Sequence, residues 1–129
     1  MNEQNPSHEY DNYIISVANK LTDEFTEEIL IPEKSGVYFS KFDIMAIANE
    51  IGASINMAEW KKMFGQLFKH VDNEEDLLNL LGLLERFIQQ KRSNYLRFQE
   101  NYKHAEEATA PLIAKTDAAL ERIAKAKRV

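Results

Sequence analysis

An all-α bundle of four to five helices is the fold this sequence predicts, with one long heptad-patterned helix over about 73–108 and a short C-terminal helix. Three observations predict it. Only four glycines and three prolines occur in 129 residues, and the prolines at 6, 32 and 111 fall between helical patterns. Apolar residues recur at steps of three and four through most of the chain. Strand-like alternation is confined to residues 36–39, too few to build a sheet.

The first helix is expected from Ser7, whose hydroxyl suits a cap, to just before Pro32. Tyr10, Ile14, Val17, Leu21, Phe25 and Ile29 form its apolar stripe, and Asp11, Asp23, Glu24, Glu27 and Glu28 its wet face. Ser40 followed by Asp43 reads as a capping box for a second helix over 41–51. Gly52 is placed to end it in the left-handed conformation. Phe42, Ile44, Met45, Ile47, Ala48 and Ile51 make this helix apolar. Asn56 with Glu59 signals a third helix, carrying Met57, Trp60, Met63, Phe64, Leu67 and Phe68 and stopping near Val71.

Asp72 reads as the cap of the long helix, and Glu74, Glu75 and Asp76 fill its first turn, where the positive end of the helix dipole favours acids. Leu77, Leu81, Leu84 and Ile88 open a seam of alternating four- and three-residue steps, widened by Leu78, Leu80, Leu83 and Phe87 into a core-forming surface. Lys91, Tyr95, Phe98, Tyr102 and Ala105 continue it as a narrow seam. The same spacing runs on through Thr109, Leu112, Thr116, Ala119, Ile123 and Ala126, across Pro111. Thr109 followed by Pro111 is a better helix start than a helix interior, so a break or strong kink is expected there. That divides the chain into a bundle domain, 1–108, and a basic helical extension, 109–129. Gly65 and Gly82 fall inside helices at about 1 kcal/mol each relative to alanine, an expense that close helix crossing would explain.

Cysteine is absent, which excludes disulfides, thiolate catalysis and cysteine-type zinc sites. The net charge of −5 argues against a surface made for polyanions. Residues 1–32 hold one Lys against seven acids, whereas residues 111–129 hold five bases against two acids, so the two ends are suited to attract each other or different partners. The polar start, without a basic stretch followed by an apolar one, leads to the expectation of a cytoplasmic protein. The densest apolar segment, 77–88, is too short to span a bilayer, so no membrane role is expected.

Catalytic motifs are missing from the sequence: it has no phosphate-binding glycine loop and no nucleophile elbow. Of His8, His70 and His104, only His104 has carboxylates at helical spacing, Glu100 and Glu107, with Glu24 and Glu28 as remote additions. The order His-x-x-Glu occurs once, whereas a di-metal bundle uses Glu-x-x-His twice, so neither a metal nor another cofactor is expected. A non-enzymatic protein follows as the expectation.

Ala48, Gly52, Ala53, Ser54 and Trp60 form a pattern that is similar to the helix-turn-helix signature of DNA-binding domains over about fourteen residues. The resemblance implies Ala48 packing on a second helix, Gly52 in the turn and Ser54 opening a recognition helix. Ser54, Asn56, Lys61 and Lys62 would then face nucleic acid. The sequence departs from the pattern at Ile55, Asn56 and Glu59, where base- and phosphate-contacting residues belong, and a glutamate there repels phosphate. Lys91, Arg92, Arg97 and Lys103 form another basic strip, but the neighbouring aromatics lie on the seam and suit helix packing. The favoured expectation is therefore a protein–protein interaction or assembly module. It self-associates, as a homodimer, through Lys91, Tyr95, Phe98 and Tyr102, and a DNA-binding regulator using residues 44–64 is the alternative.

Overall fold

The computed structural model describes residues 6–128 and is helical throughout, with no strand among the described residues. Helix α1 spans Pro6–Phe25 and runs into a π-turn, Thr26–Leu30; a short α2, Pro32–Ser35, follows. Then come α3 (Lys41–Ile51), α4 (Trp60–Lys69), α5 (Glu74–Asn101) and α6 (Ala105–Ala126). Helix α1 thus begins at Pro6, with Ser7 in its first turn instead of before it. Residues 36–39, the one candidate strand, form an irregular link between α2 and α3.

Local chemistry sets α3 as expected. Ser40 Oγ accepts the Asp43 N–H at 3.0 Å, Asp43 Oδ2 accepts the Ser40 N–H at 2.8 Å, and Gly52 closes the helix at φ 76°. Helix α4 begins later than Asn56 and Glu59 suggested. Residues 53–59 form an irregular connection, Glu59 is itself the cap through the Lys61 N–H at 3.2 Å, and Asn56 donates its own N–H to Gln66. The reason is packing: Ala53, Ile55 and Ala58 lie against the core and hold this stretch open, leaving Met57 exposed. At α5 the cap is Asn73, one residue after Asp72, and its side chain accepts the Asp76 N–H at 2.9 Å.

A line of aromatic rings joins the helices through the core. Phe25 of α1 meets Phe68 edge-on at 5.9 Å, Phe68 meets Phe64 of α4 at 5.5 Å, and Phe64 meets Phe39 at 6.0 Å. Phe39 then stacks on Phe87 of α5 at 4.3 Å. Such tilted and offset pairs each add about 0.5–1.5 kcal/mol beyond the area they bury. Leu77, Leu81, Leu84 and Ile88 of the seam are wholly buried beside them.

The long helix ends at Asn101, and the chain turns back at Tyr102–His104 rather than at Pro111. Pro111 lies inside α6, on its exposed side, so the carbonyl of Glu107 that loses its helical partner faces water. Thr109 is not a cap: its hydroxyl is buried, donates to the Ala105 carbonyl at 2.7 Å and accepts from Gln99 Nε2 at 2.7 Å. Residues 109–126 are thus the greater part of a helix that begins at Ala105. It runs antiparallel to α5, as three cross-links show: Gln99 with Thr109, Arg92 with Asp117 at 2.6 Å, and Lys127 with Glu85 at 2.6 Å.

Gly36 is the junction that seats α6. It ends α2 at φ 78°, and a β-carbon there would come within 2.7 Å of the Leu112 carbonyl oxygen. Both the backbone conformation and the close approach require glycine. Gly65 behaves as expected, buried with α1 near enough that a β-carbon would sit 3.4 Å from Thr22. Gly82 does not: nothing lies within 4 Å of where its β-carbon would be, so no internal helix crossing explains it.

Candidate interaction surface

Helix α5 and the residue that follows it hold the four seam residues Lys91, Tyr95, Phe98 and Tyr102 on one side, and the fold treats them in two ways. Lys91 places its ammonium 5.2 Å from the centre of the Phe87 ring, so the cation caps the aromatic line instead of sitting unpaired in a dry core. Tyr95 is half-buried and donates its hydroxyl to the Gly36 carbonyl, tying α5 to the α2 junction. Burial holds its hydroxyl above the ordinary tyrosine value near 10, because the phenolate would lose water. Both residues are therefore occupied within the chain.

Phe98 and Tyr102 are not. Their rings touch each other, with centroids 4.7 Å apart, and they remain 50% and 59% exposed. Leu96, also exposed, lies on the same terminal part of α5. The paired rings stand at the closed end of the α5–α6 hairpin, beyond the part of the seam that covers the core. Aromatic side chains of this size are normally withdrawn from water, and a cluster left out is a hallmark of association surfaces.

A second aromatic surface has no counterpart in the sequence expectations. Tyr38 stacks on Trp60 at 5.8 Å, and Trp60 Nε1 donates to the Phe39 carbonyl at 2.6 Å. Tyr38 is exposed, and Phe42 of α3 is 79% exposed. A signal for Phe42 was present. At 100° per residue it stands about 160° from Ile44 on the helix circumference, on the side away from Ile44, Ile47 and Ala48.

The residues suggested for nucleic acid do not share one helix. Ser54 and Asn56 lie in the irregular connection, while Lys61 and Lys62 are exposed in the first turn of α4. Residues 52–59 replace the turn of about three or four residues that the helix-turn-helix resemblance implies. The His104 group is likewise separated, because Glu100 belongs to α5 and Glu107 to α6. Among the described residues no three His, Cys, Asp or Glu side chains stand close enough to hold a metal ion.

The contrast of charge between the chain ends is used internally at one point. Arg122 of α6 pairs with Glu28 of the π-turn at 3.1 Å, beside a cleft that also holds Glu24, Glu27 and Lys125 over an apolar floor of Leu21 and Phe25. The groups around it are partly or fully exposed, so the pair is worth about 0–1 kcal/mol. No described helix is long and apolar enough to cross a membrane. Comparison with known protein families, with curated proteins and with solved structures finds no match for this chain.

Proposed function

We propose that this protein is a non-enzymatic interaction or assembly module that self-associates through its long helix. The observation carrying this reading is the Phe98–Tyr102 pair, two large rings in mutual contact that the chain's own helices leave half in water. The core beneath α5 is already complete without them, since Leu77, Leu81, Leu84 and Ile88 are fully enclosed. Their withdrawal from water is left to another surface, and each ring buried contributes about 1.5–3 kcal/mol to association before the cost of bringing two molecules together. Arg97, on the same terminal stretch, and Lys103, beside Tyr102, supply the polar rim common to such contacts.

The reading is tested by sedimentation velocity. The native protein is expected to form a dimer at roughly tens of micromolar, and Phe98→Asp with Tyr102→Asp to be monomeric with an unchanged helical spectrum. A native protein that stays monomeric, or a double variant that dimerises as well as the native chain, refutes the reading.

A further inference from the structure

The turn at residues 102–104 has neither a left-handed glycine nor a side-chain cap; a backbone hydrogen bond from the Ala105 N–H to the Tyr102 carbonyl at 3.1 Å closes it, and Glu106 and Glu107 in the first turn of α6 are its remaining start signal. Elsewhere the chain punctuates its helices strongly: Gly36 and Gly52 in the left-handed conformation, a capping box at Ser40, and Asn73 capping α5. At the α5–α6 corner, Tyr102 has extended backbone angles, His104 makes no capping hydrogen bond, and neither glycine nor proline is present. The flanking residues, Gln99 to Ala108, are mostly good helix formers. Beyond that one turn hydrogen bond, packing of α6 against the body keeps the chain folded back.

The phase of the seam carries the point further. From Leu77 to Ala126 the four-and-three alternation continues without a slip, through the corner and on along α6. A hairpin sets no relation between the phases of its two arms, whereas a single straight helix requires this one. Along that stripe α6 buries Ala105, Thr109, Thr116, Ala119 and Ile123, mostly small or polar groups, so it withdraws less apolar surface there than the leucines of α5 do. The stripe is wet only at Phe98 and Tyr102, the two seam residues next to the corner.

We propose that two copies of this chain associate by exchanging α6. The corner straightens, α5 and α6 become one helix, and α6 of each copy takes the place of its counterpart on the other, at Gly36 and along Arg92 and Gln99. Every contact of the closed hairpin is remade between chains. The new contact forms around the corner, where Phe98 and Tyr102 of one straightened helix meet those of the other. Exchange of an identical element creates a two-fold dimer at little cost because only the hinge changes. The inference rests on the self-association proposed above and specifies its route.

The test uses the absence of native cysteines. Arg92→Cys with Asp117→Cys replaces the paired groups of α5 and α6, which are partly exposed, by two thiols suited to a short bismaleimide cross-linker. The protein is concentrated to hundreds of micromolar, the dimer is isolated by size exclusion, then cross-linked and run under denaturing conditions. Exchange predicts covalent two-chain products from the dimer peak and internally linked single chains from the monomer peak. A Gly-Ser-Gly-Ser insertion between Lys103 and His104, which lets α6 close back on its own chain, is expected to abolish the two-chain product while leaving the fold intact. A dimer peak yielding only internally linked chains overturns the exchange and leaves self-association standing. Absence of any dimer overturns both.

Discussion

The two halves of α5 share one heptad pattern and have opposite fates. In the first half, Leu77, Leu81, Leu84 and Ile88 are wholly enclosed by helices of the same chain. In the second, Lys91 and Tyr95 are half covered and Phe98 and Tyr102 stand out at the end. Spacing by itself therefore marks a face that seeks cover without saying who supplies it. The difference arises from what lies opposite: the first half has the aromatic line, α3 and the end of α6 beside it, while the second has α6 and, at Tyr95, the Gly36 junction on its flank and leaves Phe98 and Tyr102 uncovered.

The largest expected effect separates the halves directly. Leu84→Ala leaves a cavity in a sealed core and is expected to cost about 2–5 kcal/mol in urea unfolding, whereas Phe98→Ala is expected to change monomer stability by no more than about 0.5 kcal/mol. Equal losses would erase the distinction drawn between them. Next in size is Gly36→Ala, which combines a left-handed backbone with a β-carbon 2.7 Å from the Leu112 carbonyl oxygen. A loss of about 2–4 kcal/mol is expected. Hydrogen exchange should show α6 opening before α3.

Tyr95 sharpens the boundary between the halves. Tyr95→Phe removes the donor to the Gly36 carbonyl and is expected to cost about 1–2 kcal/mol at neutral pH. Its folded pKa lies above the unfolded value near 10, so its contribution is full below that pH and is lost as pH rises through the folded value. Unfolding curves of Tyr95→Phe should accordingly decline less steeply than those of the native protein above pH 10. The smallest effect is a gain. Gly82→Ala adds helix propensity where no neighbour stands within 4 Å, and is expected to stabilise the chain by up to about 1 kcal/mol. Destabilisation there would restore the close crossing that the structure lacks.

What could be read from the sequence follows the range of the forces involved. The bounds of α3 were legible because Ser40, Asp43 and Gly52 act within a few residues of themselves. The seam of α5 was legible because periodicity survives any tertiary arrangement. The corner at 102–104 was not, since it has neither a left-handed glycine nor a side-chain cap and is imposed by α6 packing on Gly36 and Gln99. Thr109 and Pro111 misled because a serviceable start signal was overruled by tertiary contacts, with Thr109 turned inward and Pro111 outward. Asn56 failed likewise, because Ala53, Ile55 and Ala58 gain more by covering the core than a further helical turn would return. Of the candidate surface, Phe98 and Tyr102 were found by spacing and the outward register of Phe42 was open to the same geometry, whereas Tyr38, in the link before α3, had no local signal.

The central claim is that the exposed end of the long helix is where copies of this protein meet. Sedimentation velocity over a dilution series, comparing the native chain with Phe98→Asp plus Tyr102→Asp, tests it most directly. A concentration-dependent native dimer that disappears in the variant is the predicted result. A native monomer across the series, or a dimer indifferent to both substitutions, would contradict it.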